Sequence, residues 1–144
     1  MSENQRNDQN TSVRKLAAIM FTDIVGYTSL MGEDEHKAFN ILTANLEIHN
    51  RLIKRYNGKI VKEMGDGLLS IFENGTEAVQ CAVTIQQEAS RKGIPLRIGI
   101  HEGEVVFKNN DVFGDGVNIA SRIQDEAAKG GICISDSVYR IIKN

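Results

Sequence analysis

The chain has 144 residues, 41% of them hydrophobic and 25% charged, with a formal net charge of −2, the size and make-up of one globular domain with a core of its own. So slight a charge excludes a strongly basic nucleic-acid or anionic-membrane binder, and no run approaches the roughly 18 apolar residues of a membrane span or the pattern of a signal peptide. Cys81 and Cys133, the two cysteines, lack any metal-ligand spacing and read as reduced core residues of a cytoplasmic protein.

Residues 1–13 are almost wholly polar and predict a disordered tail or linker stub ahead of a single domain over 14–144. Order is expected from Leu16, with a first strand ending at Asp23. A long helix follows over about 33–56, because Ala38, Leu42, Leu46, His49, Ile53 and Tyr56 recur by fours and threes; Gly58 stops it. Strand-like runs at 59–62 and 68–72 form a hairpin with Asp66-Gly67 in its turn, both residues tolerating positive φ. A second helix, 76–91, buries Ala78, Ala82, Ile85 and Ala89. Beyond Pro95, residues 96–100 predict a strand and 103–107 an extended segment. A third helix is expected over 116–128, a short strand over 132–135, and a last helix capped by Ser135 or Asp136. The order β-α-β-β-α-β with an appended helix, strand and helix is an α+β class, a ferredoxin-like βαββαβ palm-type core with helices on one face of an antiparallel sheet.

The chemistry begins with two aspartates. Asp23 closes an apolar strand and Asp66 sits in a hairpin turn, and carboxylates at neighbouring strand ends are a way to hold hard cations against a polyphosphate. Each also has a plain reading, a helix cap for Asp23 and turn punctuation for Asp66; the pair together points to nucleotide chemistry. After Asp23, Gly26 permits a sharp turn, and the free N–H groups of a helix start at Gly26, Tyr27 and Thr28 suit phosphate oxygens. On the third helix, Asn118 and Arg122 lie four apart and share the face opposite the apolar stripe, where an amide and a fixed cation suit a sugar and a phosphate. A solvated helix face is the alternative.

Three segments, Phe21-Thr22-Asp23-Ile24-Val25-Gly26-Tyr27-Thr28, Lys62-Glu63-Met64-Gly65-Asp66-Gly67, and Asp111 through Arg122, resemble in order the signature segments of class III adenylyl and guanylyl cyclase catalytic domains. The resemblance implies that Asp23, Ile24 and Asp66 are metal positions for two magnesium or manganese ions. It implies that Lys62 and Asp111 read the purine, that Asn118 orients the ribose, and that Arg122 stabilises charge on the reacting phosphate. It further implies a homodimer with ATP sites shared between subunits, and leaves room for a regulatory domain upstream. The purine pair favours ATP: adenine offers an acceptor at N1 and a donor at N6, matching a lysine and a carboxylate, whereas guanine reverses both.

Other residues take blander readings. His101 is a hydrogen-bonding residue, since no second histidine or cysteine completes a metal set; His49 is core packing; Asp115 is a cap or dipole partner. Domains of the resembled family continue into a further strand pair carrying a phosphate-binding lysine, for which Lys143 comes too early. That keeps open a second reading, a non-catalytic nucleotide-binding or dimerisation module. The turn of diguanylate cyclases, the third candidate, is absent.

Overall fold

The computed structural model describes residues 12–144; the polar tail read in residues 1–11 lies outside them. The first strand, β1, spans Val13–Ile24 and is buried from Ala17 to Thr22, because both faces of the sheet are covered there. The helix expected over 33–56 is α2, Glu35–Arg55, and a short helix, α1 at Tyr27–Glu33, precedes it. Asp34 separates the two: its side chain accepts from the Lys37 amide at 3.0 Å and caps α2. The buried face of α2 is Ala38, Asn45, Ile48, His49, Leu52 and Ile53, broader than the expected stripe and including a polar Asn45. At the far end the left-handed residue is Asn57 (φ 63°), not Gly58. Gly58 is needed for space, since a Cβ there would lie 2.4 Å from the Phe72 ring.

Strands β2 (Lys59–Met64) and β3 (Gly67–Phe72) pair with Met64 opposite Gly67. The two-residue turn is therefore Gly65-Asp66, and its positive φ falls on Gly65 (65°), correcting the placement of the turn at Asp66-Gly67. Helix α3, Gly75–Arg91, starts at Asn74, which accepts from the Glu77 amide. Strand β4 runs unbroken over Leu96–Lys108 where two shorter segments were expected. A three-residue strand, β5 at Asp111–Phe113, was not foreseen. Helix α4 spans Asp115–Glu126, strand β6 Ile132–Ile134 and helix α5 Asp136–Ile142. Asp115 lies in the first turn of α4 rather than at its cap, which is Gly114. Ser135 stands at the cap of α5 but makes no capping bond; its hydroxyl pairs with His101 Nδ1 at 2.9 Å.

The sheet has the order β2-β3-β1-β4-β5, with β6 parallel to β4 and the other pairings antiparallel. Helices α2 and α3 cover one face, where Met20, Ile48, Leu52, Ile85, Ile98 and Ile100 form the principal core. Arg51 on α2 meets both Glu47 and Glu88 and ties α2 to α3. A second apolar cluster lies on the opposite face under α4. It gathers Phe21 from β1, Leu69 from β3, Val105 from β4, Val112 from β5 and Ala120 from α4, with Val61 of β2 at its margin. One cluster fed by both outer strands, β2 and β5, requires a strongly curled sheet. The α+β class stands as expected.

Candidate active site

Asp23 is the penultimate residue of β1 and pairs with Gly67 on one side and Arg97 on the other. Gly67 follows Asp66, so the register brings the two carboxylates together at one end of the sheet. Burial first, and the adjacent Asp66 carboxyl second, raise the Asp23 pKa to about 6, with Arg97 opposing the shift. Asp125, from the end of α4, adds a weaker negative influence. Arg97 is half-buried, and its Nε has no hydrogen-bond partner among the described residues.

These residues fit a divalent cation. Two half-buried carboxylates at one end of the sheet repel each other, and a hard cation between them relieves that repulsion. Among the described residues no cluster of three or more His, Cys, Asp or Glu side chains could hold a metal. The chain thus offers two oxygen ligands rather than a closed cage, the usual arrangement where cations are shared with substrate phosphates.

Lys62 and Asp111 meet on the curled face. Their charged atoms lie 3.1 Å apart, and the side chains keep 40% and 30% exposure, enough for a ligand to reach both. Asp111 is fixed by the Val112 amide, which donates to Oδ1 at 2.7 Å. That bond first, and Lys62 second, hold its carboxyl below the ordinary carboxylate range. The result is a donor and an acceptor side by side.

Gly26 is left-handed (φ 74°) at the start of α1. Thr28 is exposed there, while the Tyr27 ring packs against the principal core. On α4, Asn118 and Arg122 are exposed and find no side-chain hydrogen-bond partner among the described residues. Helix α4 is pressed hard against β4: a Cβ on Gly99 would lie 2.3 Å from the Gln124 amide nitrogen.

Behind Asp23, on the α2 side of the sheet, lies a buried polar pair. Thr22 Oγ1 and His49 Nε2 are 2.8 Å apart, and His49 Nδ1 is 2.8 Å from the Asn45 carbonyl. The carbonyl can only accept, so Nδ1 carries the proton and Nε2 accepts from the Thr22 hydroxyl. Burial depresses the His49 pKa to about 4, and the ring is neutral. Sequence reasoning missed Arg97 and this pair. A charged residue between Leu96 and Ile98 was a usable signal for Arg97; the Thr22–His49 contact, 27 residues apart, had none.

The ferredoxin-like sheet carries a carboxylate pair at one end and a lysine–aspartate pair on its curled face, an arrangement whose chemistry suits a nucleotide. Residues 10–144 match the family model described as the adenylate and guanylate cyclase catalytic domain, and the chain belongs to that family, whose members use divalent metal ions. It is 38% identical over 138 residues to a Rhizobium meliloti protein named "Putative adenylate cyclase 3", covering 90% of this chain and 24% of that protein. The solved adenylate/guanylate cyclase/hydrolase from Silicibacter pomeroyi superposes with a TM-score of 0.85 at 36% identity, over 92% of this chain and 83% of that one. The guanylate cyclase domain from Catenaria anguillulae, solved with GTP, superposes with a TM-score of 0.81 at 25% identity, over 92% and 85% of the two chains. The chain thus spans about a quarter of the length of the first curated relative. No helix among the described residues is long and apolar enough to cross a membrane.

Proposed function

We propose that this domain converts ATP to 3′,5′-cyclic AMP and pyrophosphate at sites shared between two copies of the chain. The Lys62–Asp111 pair carries the reading for adenine: the Lys62 ammonium donates to N1 and the Asp111 carboxylate accepts from the N6 amino group. Guanine would set like groups against each, leaving buried polar groups unpaired. Asn118 hydrogen-bonds the ribose and Arg122 places its guanidinium on the reacting phosphate. Arg97, beside the carboxylates with a free Nε, is suited to a terminal phosphate oxygen, and the N–H groups at Gly26, Tyr27 and Thr28 to the others.

Asp23 and Asp66, with Ile24 beside them, would hold two magnesium or manganese ions; such ions, when bound, neutralise polyphosphate charge and acidify the attacking 3′-hydroxyl. Asp23 must be ionised for this, which its pKa of about 6 allows at neutral pH. The named curated relative and the fold are consistent with the adenylyl choice, though a structural neighbour was solved with GTP.

Sharing of the site between copies is tested by mixing. Asp23→Ala and Arg122→Ala are each expected to be inactive alone with ATP and manganese. Equal mixtures should recover about a quarter of wild-type activity, since half of the dimers are mixed and each keeps one intact site. Mixtures that stay silent while dimers are seen by light scattering would refute the shared site. Cyclic GMP from GTP in place of cyclic AMP from ATP would refute the base assignment.

A further inference from the structure

The Thr22–His49 hydrogen bond lies one residue from a metal-site carboxylate yet on the other face of the sheet. Thr22 is 2% exposed and His49 fully buried, beside the buried Asn45 and Ser70, in a layer made mainly of Ile48, Leu52, Met20 and their apolar neighbours. An apolar pair could fill that space without desolvating two polar side chains, and one neutral hydrogen bond returns only about 1 kcal/mol of net stability. Bulk stability is therefore a poor reason for its presence.

Its location supplies a better one. The Thr22 peptide is where the backbones of both carboxylates meet. Asp23 follows it directly. Across the sheet, Gly67, the neighbour of Asp66, packs so closely that a Cβ there would lie 2.9 Å from the Thr22 carbonyl oxygen and 3.8 Å from Asp23 Oδ1. Any rotation of the Thr22 peptide thus moves Asp23 and presses on the strand that carries Asp66. His49 holds that peptide from behind. Its ring is locked by the Asn45 carbonyl one turn back on α2, so the Thr22 hydroxyl meets a fixed acceptor on a helix of 21 residues.

We propose that His49 is a positioning residue for the carboxylate pair: by accepting the Thr22 hydroxyl it fixes the end of β1 and so sets the spacing with which Asp23 and Asp66 grip a divalent cation. The inference rests on the metal reading of those two aspartates. Groups that hydrogen-bond a metal ligand directly are worth about ten- to a hundredfold in metal affinity, and for this contact, one residue further back, the low end is expected.

The test is Mn2+ binding by the whole chain without nucleotide, followed through the electron paramagnetic resonance signal of the free ion. Thr22→Val removes the hydroxyl at nearly constant shape and should raise the Mn2+ dissociation constant about tenfold. Thr22→Ser keeps the hydroxyl and should stay within about twofold of wild type, and His49→Gln, whose amide oxygen can accept the same bond, should lie between them. Ile85→Val, a core change on α3 that leaves the Thr22–His49 hydrogen bond in place, should leave Mn2+ binding unaltered. Wild-type affinity in Thr22→Val, or an equal loss in Ile85→Val, overturns the positioning role. A wild-type chain that binds no more Mn2+ than Asp23→Asn overturns the metal reading, and this inference with it.

Discussion

At the scale of single residues, the proposed function turns on whether Asp23 gives up its proton to a cation. An ordinary aspartate titrates near 3.8, but burial and the Asp66 carboxyl bring Asp23 to about 6. A metal must displace that proton, so apparent Mn2+ affinity should be nearly constant above pH 7 and fall by about tenfold per unit below pH 6. Asp23→Asn should flatten the profile, and binding isotherms between pH 5 and 8 would check both. Asp23, Asp66, Asn118 and Arg122 could be proposed from the sequence because each sits in a short segment with a chemical pattern of its own, whereas Lys62 and Asp111 were proposed only through the family resemblance. The Thr22–His49 pair could not, and Arg97, marked only by its place between Leu96 and Ile98, was missed. Their meaning comes from strand register and from a helix that returns to the sheet 27 residues later.

Among elements, the crossing of α4 over β4 matters most, because α4 carries Asn118 and Arg122. Gly99 has no room for a methyl group: its Cβ would fall 2.3 Å from the Gln124 nitrogen and 2.5 Å from its Cα. Backbone cannot swing aside as a side chain can. Gly99→Ala should therefore cost about 3 kcal/mol in urea unfolding, and should lower turnover more than nucleotide binding by lifting the Asn118–Arg122 face. A variant as stable as wild type would show that α4 is free to shift. Element types and their order were legible from periodicity, yet boundaries were not. The polar run His101-Glu102-Gly103-Glu104 reads as an interruption, but β1 pairs alongside it without a break and keeps it extended. The cap at Asp34 was hidden because charged residues are equally at home on a helix surface.

For the molecule as a whole, His49 contributes to acid stability. In the unfolded chain a histidine titrates near 6.5, and in the fold this one titrates near 4. Between those values the unfolded chain takes up a proton that the fold refuses. The contribution is therefore complete above pH 6.5 and declines as pH falls, by about 3 kcal/mol on reaching pH 4. Asp23 acts in the opposite sense, because without metal the fold retains a proton that the unfolded chain releases between 3.8 and 6. Comparing wild type with His49→Gln isolates the histidine: urea midpoints at pH 7.5 and 4.5 should fall further for wild type than for the variant. Equal falls would mean that His49 is protonated without cost. The α+β architecture follows from the order of elements in the sequence. The degree of curl does not, since nothing local records that β2 and β5 face one another.

That curl changes how Lys62 is to be understood. Four strand spacings in a flat sheet would separate β2 from β5 by about 19 Å, yet Lys62 and Asp111 close to 3.1 Å. The pair is the clasp of a purse whose lining is the second apolar cluster. A purine that takes hold of both groups must open the clasp and then serve as one itself, so base identity and sheet curvature are read in a single event. Truncating Lys62 removes a recognition group and unfastens the receptor together, and lost activity would not separate the two. Exchanging the charges would keep the purse shut while inverting its pattern. Arg122, exposed and without a side-chain partner among the described residues, carries no such double meaning and is the cleaner partner for Asp23 in a mixing experiment.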